Sequence, residues 1–149
     1  MERQPVSDIA LVLGILTQLF QSRIEALLRP TDLTYTQLSV LSHLDRQTEG
    51  QSISELAAAF EIQQPGMSKV IQRLAAAGAV SSQPDPTDPR RKLTSITDVG
   101  RERFETAGET MEEDLNRWFA DWSDDEVAAF TASAGRLIDW LDANRLDEE

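Results

Sequence analysis

Six polar residues in one short segment carry side chains with which proteins bind nucleic acid. They are Gln63, Gln64, Ser68, Lys69, Gln72 and Arg73. Glutamine can form two hydrogen bonds with adenine, serine donates to bases or phosphates, and lysine and arginine bind phosphates or guanine. Because a recognition helix contacts base edges mainly through its first residues, we expect Gln63, Gln64 and Ser68 to contact bases. Lys69 and Arg73 are expected to bind phosphates.

A second basic group follows farther along the chain. Arg90, Arg91 and Lys92 lie at or beside the tip of a predicted β-hairpin with strands at residues 79–83 and 92–96. The segment between the strands is rich in Pro and Asp, which favour turns. A basic hairpin directly after a helix is typical of the wing of a winged helix-turn-helix, which contacts the DNA backbone or minor groove. Asp88 is expected to hold Arg90 in a fixed pose.

This part of the chain is basic, although the whole protein is acidic. The net charge of all 149 residues is −12, yet residues 63–103 hold seven basic and four acidic residues, a net +3. A basic segment in an acidic protein restricts where a polyanion can bind and weakens non-specific binding. Either the charge distribution or the polar helix face would by itself fit an ordinary solvated surface. Their combination with a basic hairpin favours DNA binding.

Most of the remaining chain predicts helices. Capping boxes, in which Thr or Ser is followed three residues later by Gln or Glu, begin at Thr34, Ser52 and Ser123. Thr97 is expected to cap a long helix to about residue 121, in which Gly108 would be a weak point. Another helix covers residues 65–77. Its apolar face contains Met67, Val70, Ile71 and Leu74.

The first helix, over residues 7–28, is apolar on more sides than one packing partner requires. Residues at helical spacing are Ile9, Leu13, Leu16, Phe20, Ile24 and Leu27, and the stripe is widened by Val12, Ile15 and Leu19. A small domain offers few places to bury such a helix, so a dimer interface is expected. The predicted fold is mainly α with a small β-wing: a winged helix-turn-helix core flanked by N- and C-terminal dimerisation helices.

The wing segment resembles the pattern of the MarR family, which is Asp-Pro-x-Asp-x-Arg, a strand, then an apolar residue, Thr and Gly. This chain has Asp85-Pro86-Thr87-Asp88-Pro89-Arg90, followed by Leu93, Ile96-Thr97 and Gly100. The upstream half is similar at Leu33-Thr34, Gln37, Val40-Leu41, Ile53, Glu55-Leu56-Ala57, Ser68-Lys69, Arg73-Leu74 and Gly78-Ala79-Val80. The chain departs from the family at Gln64-Pro65-Gly66, where small hydroxyl residues are more common, and at Pro89, where Arg is frequent.

The resemblance covers almost the whole chain and implies a homodimer whose first and last helices interlock. It implies an N-terminal dimerisation helix in residues 1–33, a DNA-binding region in residues 34–97 and C-terminal dimerisation helices in residues 98–149, all within one intertwined domain. The candidates for the core of the dimer interface are Val12, Leu16, Leu19, Trp118, Phe119, Trp122, Phe130, Trp140 and Leu141.

The resemblance also implies a regulator of transcription that binds double-stranded DNA. A two-fold dimer presents two recognition helices about 34 Å apart, so the operator should be a pseudo-palindrome. Many members repress genes and are released by a small aromatic or anionic effector, which favours a dimer geometry with the wrong spacing. Tyr35, Ser39 and His43 are candidate effector contacts, although such a histidine is more often structural or solvent-facing.

Composition excludes several other classes of site. The chain has no cysteine and one histidine, which excludes disulfides, thiol-based redox sensing and His-rich metal sites. We expect no metal and no cofactor. The longest apolar stretch, residues 9–20, is shorter than the ~20 residues of a membrane span. No signal-peptide pattern precedes it, so a cytoplasmic protein without membrane contact is expected.

Two other functions compete with DNA binding. An enzyme is not expected, because the sequence has no recognisable nucleophile–base pair and no Gly-rich phosphate loop. The carboxylates cluster on helices near the C-terminus of the chain, and one group, Asp124, Asp125 and Glu126, lies at a helix start, where it complements the helix dipole. A winged-helix module that binds protein rather than DNA is the second alternative, and the acidic net charge keeps it open. It predicts that Lys69→Ala and Arg90→Ala leave function unchanged.

Overall fold

The computed structural model describes residues 6–145. The helices are α1 (Val6–Leu28), α2 (Tyr35–Asp45), α3 (Ile53–Ala59), α4 (Gln64–Ala76), α5 (Asp98–Trp118) and α6 (Asp124–Ala143), with a short 3-10 turn at Arg29–Thr31. The strands are β1 (Val80–Pro84) and β2 (Lys92–Ile96). The predicted fold class, mainly α with a small β-wing, is confirmed.

Local hydrogen bonds begin the helices at the predicted places. The side chain of Thr34 accepts from the Gln37 N–H, and the Gln37 side chain accepts from the Thr34 N–H, both at 3.1 Å. The boxes at Ser52 and Ser123 are formed in the same way. These pairs satisfy N–H groups that the first turn of a helix leaves without a partner.

The chain forms two compact units that divide after Met111. The core of the first unit lies where α2, α3 and α4 meet, and its largest fully buried side chains include Leu41, Leu56, Met67 and Leu74. Burial of one such side chain contributes about 1.5–3 kcal/mol. The predicted apolar face of α4 is buried at Met67, Ile71 and Leu74, and Val70 on the same face is half-buried.

The two strands form an antiparallel hairpin, and the middle of β2 is joined to the segment before α3. Val80 pairs with Ile96 and Pro84 with Lys92. The Gln51 N–H donates to the Thr94 carbonyl, and the Thr94 N–H donates to the Gln51 carbonyl, both at 2.8 Å. Gln51 thus adds a one-residue third strand to the sheet, which was not predicted from the sequence. This pair joins the middle of β2 to the segment just before α3.

Helix α5 begins after Thr97, as predicted, and ends at Trp118, three residues before the predicted limit near residue 121. The Thr97 hydroxyl accepts from the Gly100 N–H at 3.0 Å and donates to the Gly78 carbonyl at 2.6 Å. The helix continues through Gly108 without interruption to Trp118, and a β-carbon at Gly108 would meet no atom within 4 Å. A lower local stability at Gly108 stays a prediction.

Helix α1 is buried only near its C-terminal end. Ile24 and Leu28 are buried, whereas residues 8–23 are all exposed. The segment Asp8–Thr31 is long and apolar enough to cross a membrane by length and composition alone. The expectation that the longest apolar stretch is too short for a membrane span was wrong, because it counted only residues 9–20. Core helices of soluble proteins and N-terminal signal sequences meet the same criterion, so a single helix of this kind is weak evidence of a membrane span.

The second unit contains the end of α5 and helix α6. Its aromatic side chains pack edge to face, with ring centroids 5.4 Å apart for Phe119–Trp122 and 5.6 Å for Trp122–Phe130. None of the residues of α6 is buried, and Trp140 and Leu141 are more than half exposed. Within the described part of the chain, this helix therefore presents apolar side chains to solvent.

Candidate nucleic-acid interface

Helix α4 separates an apolar face from a polar one. Met67, Ile71 and Leu74 are buried against the core. The six residues singled out in the sequence lie on the other sides of the helix or just before it, and all are exposed except Ser68, which is half-buried. The helix exposes four polar side chains suited to DNA contact: Gln64, Lys69, Gln72 and Arg73. This arrangement suits a helix that lies in a groove.

The start of α4 is open to an approaching ligand. Gln63 precedes the first turn in an extended conformation, and its side chain does not cap the helix. A β-carbon on Gly66 would meet no atom within 4 Å. Pro65 lies in the first turn, where the missing N–H costs nothing. The amides of Gln63 and Gln64 can therefore turn toward a base edge.

Asp85 organises the loop of the hairpin. Its carboxylate accepts from both the N–H and the hydroxyl of Thr87, each at 2.8 Å. These hydrogen bonds, assisted by the nearby Arg91 guanidinium, hold the pKa of Asp85 below its ordinary value. Asp85 is buried, as few carboxylates are. No role was predicted for it from the sequence, although Asp followed two residues later by Thr is a known turn signal.

Arg90 reaches out from the tip of the wing. Its side chain is 92% exposed, and its Nε donates to Asp88 Oδ1 at 3.3 Å. The Arg90 N–H donates to the same oxygen at 3.1 Å. Lys92, at the start of β2, is also exposed. Arg90 and Lys92 thus present positive charge at the outer end of the hairpin.

Arg91 is arranged differently from its two neighbours. Its Nη2 lies 3.3 Å from Glu55 Oε1 on α3, and its Nη1 lies 3.7 Å from Asp85 Oδ2. Its side chain is 44% exposed, half the value for Arg90. The structure therefore pairs Arg91 with two carboxylates, whereas Arg90 and Lys92 are the more exposed cations of the wing.

Two more basic side chains in the segment 63–103 bind other groups of the protein. Arg101 pairs with Asp45 at 3.2 Å and with Asp98 at 3.1 Å, and Arg103 donates to the Thr31 carbonyl at 3.4 Å. Four cations are left to face an anion: Lys69, Arg73, Arg90 and Lys92. Within residues 6–145, only Arg90 among these four is in an ion pair, and that pair is exposed.

The structure does not gather the three candidate effector residues at one cavity. An open cavity of about 320 Å³ lies between the end of α1 and the start of α2, and Tyr35 is one of its lining residues. Ser39 donates its hydroxyl to the Tyr35 carbonyl at 2.9 Å. The His43 ring contacts Phe60 edge to face, with centroids 5.5 Å apart. Neither Ser39 nor His43 lines that cavity.

The chain is similar to known proteins in both sequence and fold. A family model described as the MarR family matches residues 31–91, the segment from the 3-10 turn to the wing. A MarR-family transcriptional regulator from Rhodococcus sp. RHA1 superposes with a TM-score of 0.77 at 23% identity, covering 91% of this chain and 97% of that one. This likeness shows the same fold over nearly the whole length.

Two further structures were determined with a ligand. A single-residue mutant of MarR from E. coli, complexed with operator DNA, superposes with a TM-score of 0.73 at 21% identity, covering 89% of this chain and 94% of that one. CouR from Rhodococcus jostii RHA1, bound to p-coumaroyl-CoA, gives a TM-score of 0.73 at 23% identity, covering 91% and 95%.

Proposed function

We propose that the chain is a member of the MarR family, whose model matches its winged-helix region at residues 31–91, and that it is a homodimeric regulator of transcription that binds a pseudo-palindromic operator. The region over residues 34–97 binds the DNA, and residues 1–33 and 98–149 hold the dimer together. The expected outcome of binding is repression, relieved by a small-molecule effector.

The observation that carries the proposal is the joint exposure of α4 and the wing. Helix α4 directs Gln64, Lys69 and Arg73 away from the core, and the hairpin that follows exposes Arg90 and Lys92. Amides and hydroxyls at the start of the helix read base edges, while the cations bind phosphates on either side. The operator complex of the E. coli protein with the same fold supports this use of the surface.

The exposed apolar faces support dimerisation. Val12 and Leu19 on α1 are more than half exposed, and the second unit separately exposes Trp122, Trp140 and Leu141. Monomeric proteins rarely leave contiguous apolar patches of this kind in water, and a second copy would cover them. The nine interface residues expected from the sequence, Trp118 and Phe119 among them, are proposed as the core of that contact. A two-fold axis then places two α4 helices one DNA turn apart.

Effector control follows from the same architecture. A ligand that binds one dimer geometry better than another shifts the population toward that geometry by its difference in affinity. If the favoured geometry misplaces the two α4 helices, operator affinity falls. The bound p-coumaroyl-CoA in CouR supports a ligand of aromatic or anionic character. Tyr35, at the α1–α2 cavity, is the best placed of the three proposed contacts, ahead of Ser39 and His43.

The acidic remainder of the chain adds selectivity. The net charge is −12 for the whole chain and +3 for residues 63–103, so the other residues carry −15 and disfavour DNA binding outside the basic segment. Four cations per protomer give at most eight phosphate contacts per dimer. The logarithm of the affinity should then fall against the logarithm of salt concentration with a slope of about −7. A cytoplasmic location is consistent with such a partner.

A winged-helix module that binds only protein is the second candidate, favoured by the negative net charge. The two candidates are separated by a selection of random duplex DNA with the purified dimer, followed by titration of the enriched sequence at two salt concentrations. Enrichment of a pseudo-palindrome, bound more weakly at high salt, supports the regulator. A folded dimer that enriches nothing would move the proposal to the protein-binding module.

A further inference from the structure

Glu55 uses its two carboxylate oxygens for two different elements. Oε2 accepts from the Ser52 N–H at 2.7 Å and closes the capping box at the start of α3. Oε1 lies 3.3 Å from Nη2 of Arg91 in the hairpin loop. One side chain therefore joins the first turn of a core helix to the wing. Because the capping box already holds the carboxylate in place, forming the ion pair costs the Glu55 side chain little further conformational freedom.

The other end of the pair is held as firmly. The Arg91 N–H donates to the Asp88 carbonyl, and the Arg91 carbonyl accepts from the Asp85 N–H, both at 2.9 Å. The second guanidinium nitrogen, Nη1, lies 3.7 Å from the buried Asp85 carboxylate. Arg91 is thus fixed by its backbone at the closing point of the loop and by its side chain against α3.

The loop itself has few other ties to the core. The backbone pair between Gln51 and Thr94 fixes the middle of β2, three residues after Arg91. The Arg91–Glu55 ion pair joins residues 85–91 to α3. Arg90, one residue earlier, donates its N–H and its Nε to Asp88, which belongs to the same loop.

We propose that Arg91 is a positioning residue rather than a DNA contact: with Glu55 and Asp85 it forms a clamp that sets the wing against α3, so that Arg90 and Lys92 reach the DNA backbone. A wing ordered before binding loses less conformational freedom on the DNA, which raises affinity without adding a contact. The DNA part of this inference rests on the proposed function, whereas the clamp exists in the free protein.

The clamp is tested first without DNA. Glu55→Gln keeps an oxygen that can accept from Ser52 but removes the charge that attracts Arg91. Amide hydrogen exchange of residues 84–92 should then become about two- to fivefold faster, as expected for loss of an exposed ion pair. Glu126→Gln is the matched control, because Glu126 forms the same capping box with Ser123 and, in the described chain, no ion pair. Unchanged exchange in Glu55→Gln would overturn the clamp.

The second test uses the selected operator. Arg91→Ala should weaken binding about two- to tenfold with an unchanged salt slope, whereas Arg90→Ala should flatten the slope by about 1.8 for the two protomers. Glu55→Gln should weaken binding and add nothing to Arg91→Ala. If Arg91 were a phosphate contact, Arg91→Ala would flatten the slope, and Glu55→Gln would tighten binding by freeing the guanidinium. If the protein bound no DNA, the exchange measurement would still decide the clamp.

Discussion

A β-carbon on Gly100 would lie 2.1 Å from the carbonyl oxygen of Ala79 and 2.8 Å from Cγ1 of Ile96. That carbonyl also accepts from the Thr97 N–H at 3.0 Å, so it cannot move away without breaking the junction between the hairpin and α5. We expect Gly100→Ala to lower the free energy of unfolding by about 2–3 kcal/mol, the usual cost of forced overpacking. Urea unfolding at one protomer concentration measures it.

Gly108→Ala, in the same helix, is the matched control with the opposite expected sign. No atom lies within 4 Å of a β-carbon there. Alanine is favoured over glycine in a helix interior by about 0.8–1.0 kcal/mol, so this variant should be more stable than the wild type. Equal effects of the two substitutions would show that the close approach at Gly100 does not matter.

Substitutions on α4 should separate base reading from phosphate binding. Gln64→Ala should cost about 1–3 kcal/mol on the selected operator and much less on an operator altered at the base pair it reads. Lys69→Ala should weaken binding to both DNAs alike and flatten the salt slope by about 1.8 per dimer. Titrations of each variant against both operators at two salt concentrations provide the comparison. The assignment of Gln64 fails if its loss is uniform across sequences.

Charge placed on the apolar face of α1 should dissociate the dimer. Leu16, which is 42% exposed in the single chain, is a proposed interface residue. Leu16→Glu would bury a carboxylate in an apolar contact, and the cost of desolvation should convert the dimer to monomer. Sedimentation measures the change in mass. Ala75→Glu places the same charge on an exposed residue of α4, outside the regions proposed to hold the dimer, and it should remain dimeric.

Acidification should loosen the wing through two carboxylates. Backbone hydrogen bonding from Ser52 lowers the pKa of Glu55, and the Arg91 guanidinium lowers it further; hydrogen bonds from Thr87 lower the pKa of Asp85. Since both values are depressed in the folded protein, their contribution is complete above the unfolded values near 4 and is lost as pH falls through the lower, folded values.

The expected stability is therefore level with respect to these two groups above about pH 5 and declines below about pH 4. Unfolding by urea between pH 6 and pH 3 provides the measurement. Glu55→Gln, which cannot titrate at this position, should lose less stability over that range than the wild type does. A pH dependence parallel to that of the wild type would mean that the hydrogen bonds to Glu55 do not contribute.

The order and limits of the elements could largely be predicted from the sequence, because local interactions determine them. Each capping box joins residues three apart, so Thr34 and Ser52 identify a helix start wherever the chain goes afterwards. Gly78, in a left-handed conformation at a φ of 74°, ends α4 for an equally local reason. The apolar spacing of Met67, Ile71 and Leu74 determined which face of α4 would be buried.

Long-range contacts decided what local patterns could not. Arg90 and Arg91 are adjacent arginines in one loop and look equivalent in the sequence, yet one extends into solvent and the other is paired with Glu55 on a distant segment. The same holds for Arg101, whose partner Asp45 lies on α2. The strength and choice of an ion pair depend on separation and solvent exposure, and only the folded chain determines either.

The sequence by itself thus determined the helices, the hairpin and the polar face of α4, all of which follow from interactions within a few residues or from periodicity. The tertiary structure alone decided which cations stay exposed to an anion, why Gly100 must lack a side chain, and that Gln51 pairs with the middle of β2. The physical reason is that these properties depend on distances between residues far apart in the chain, which packing of the core brings together.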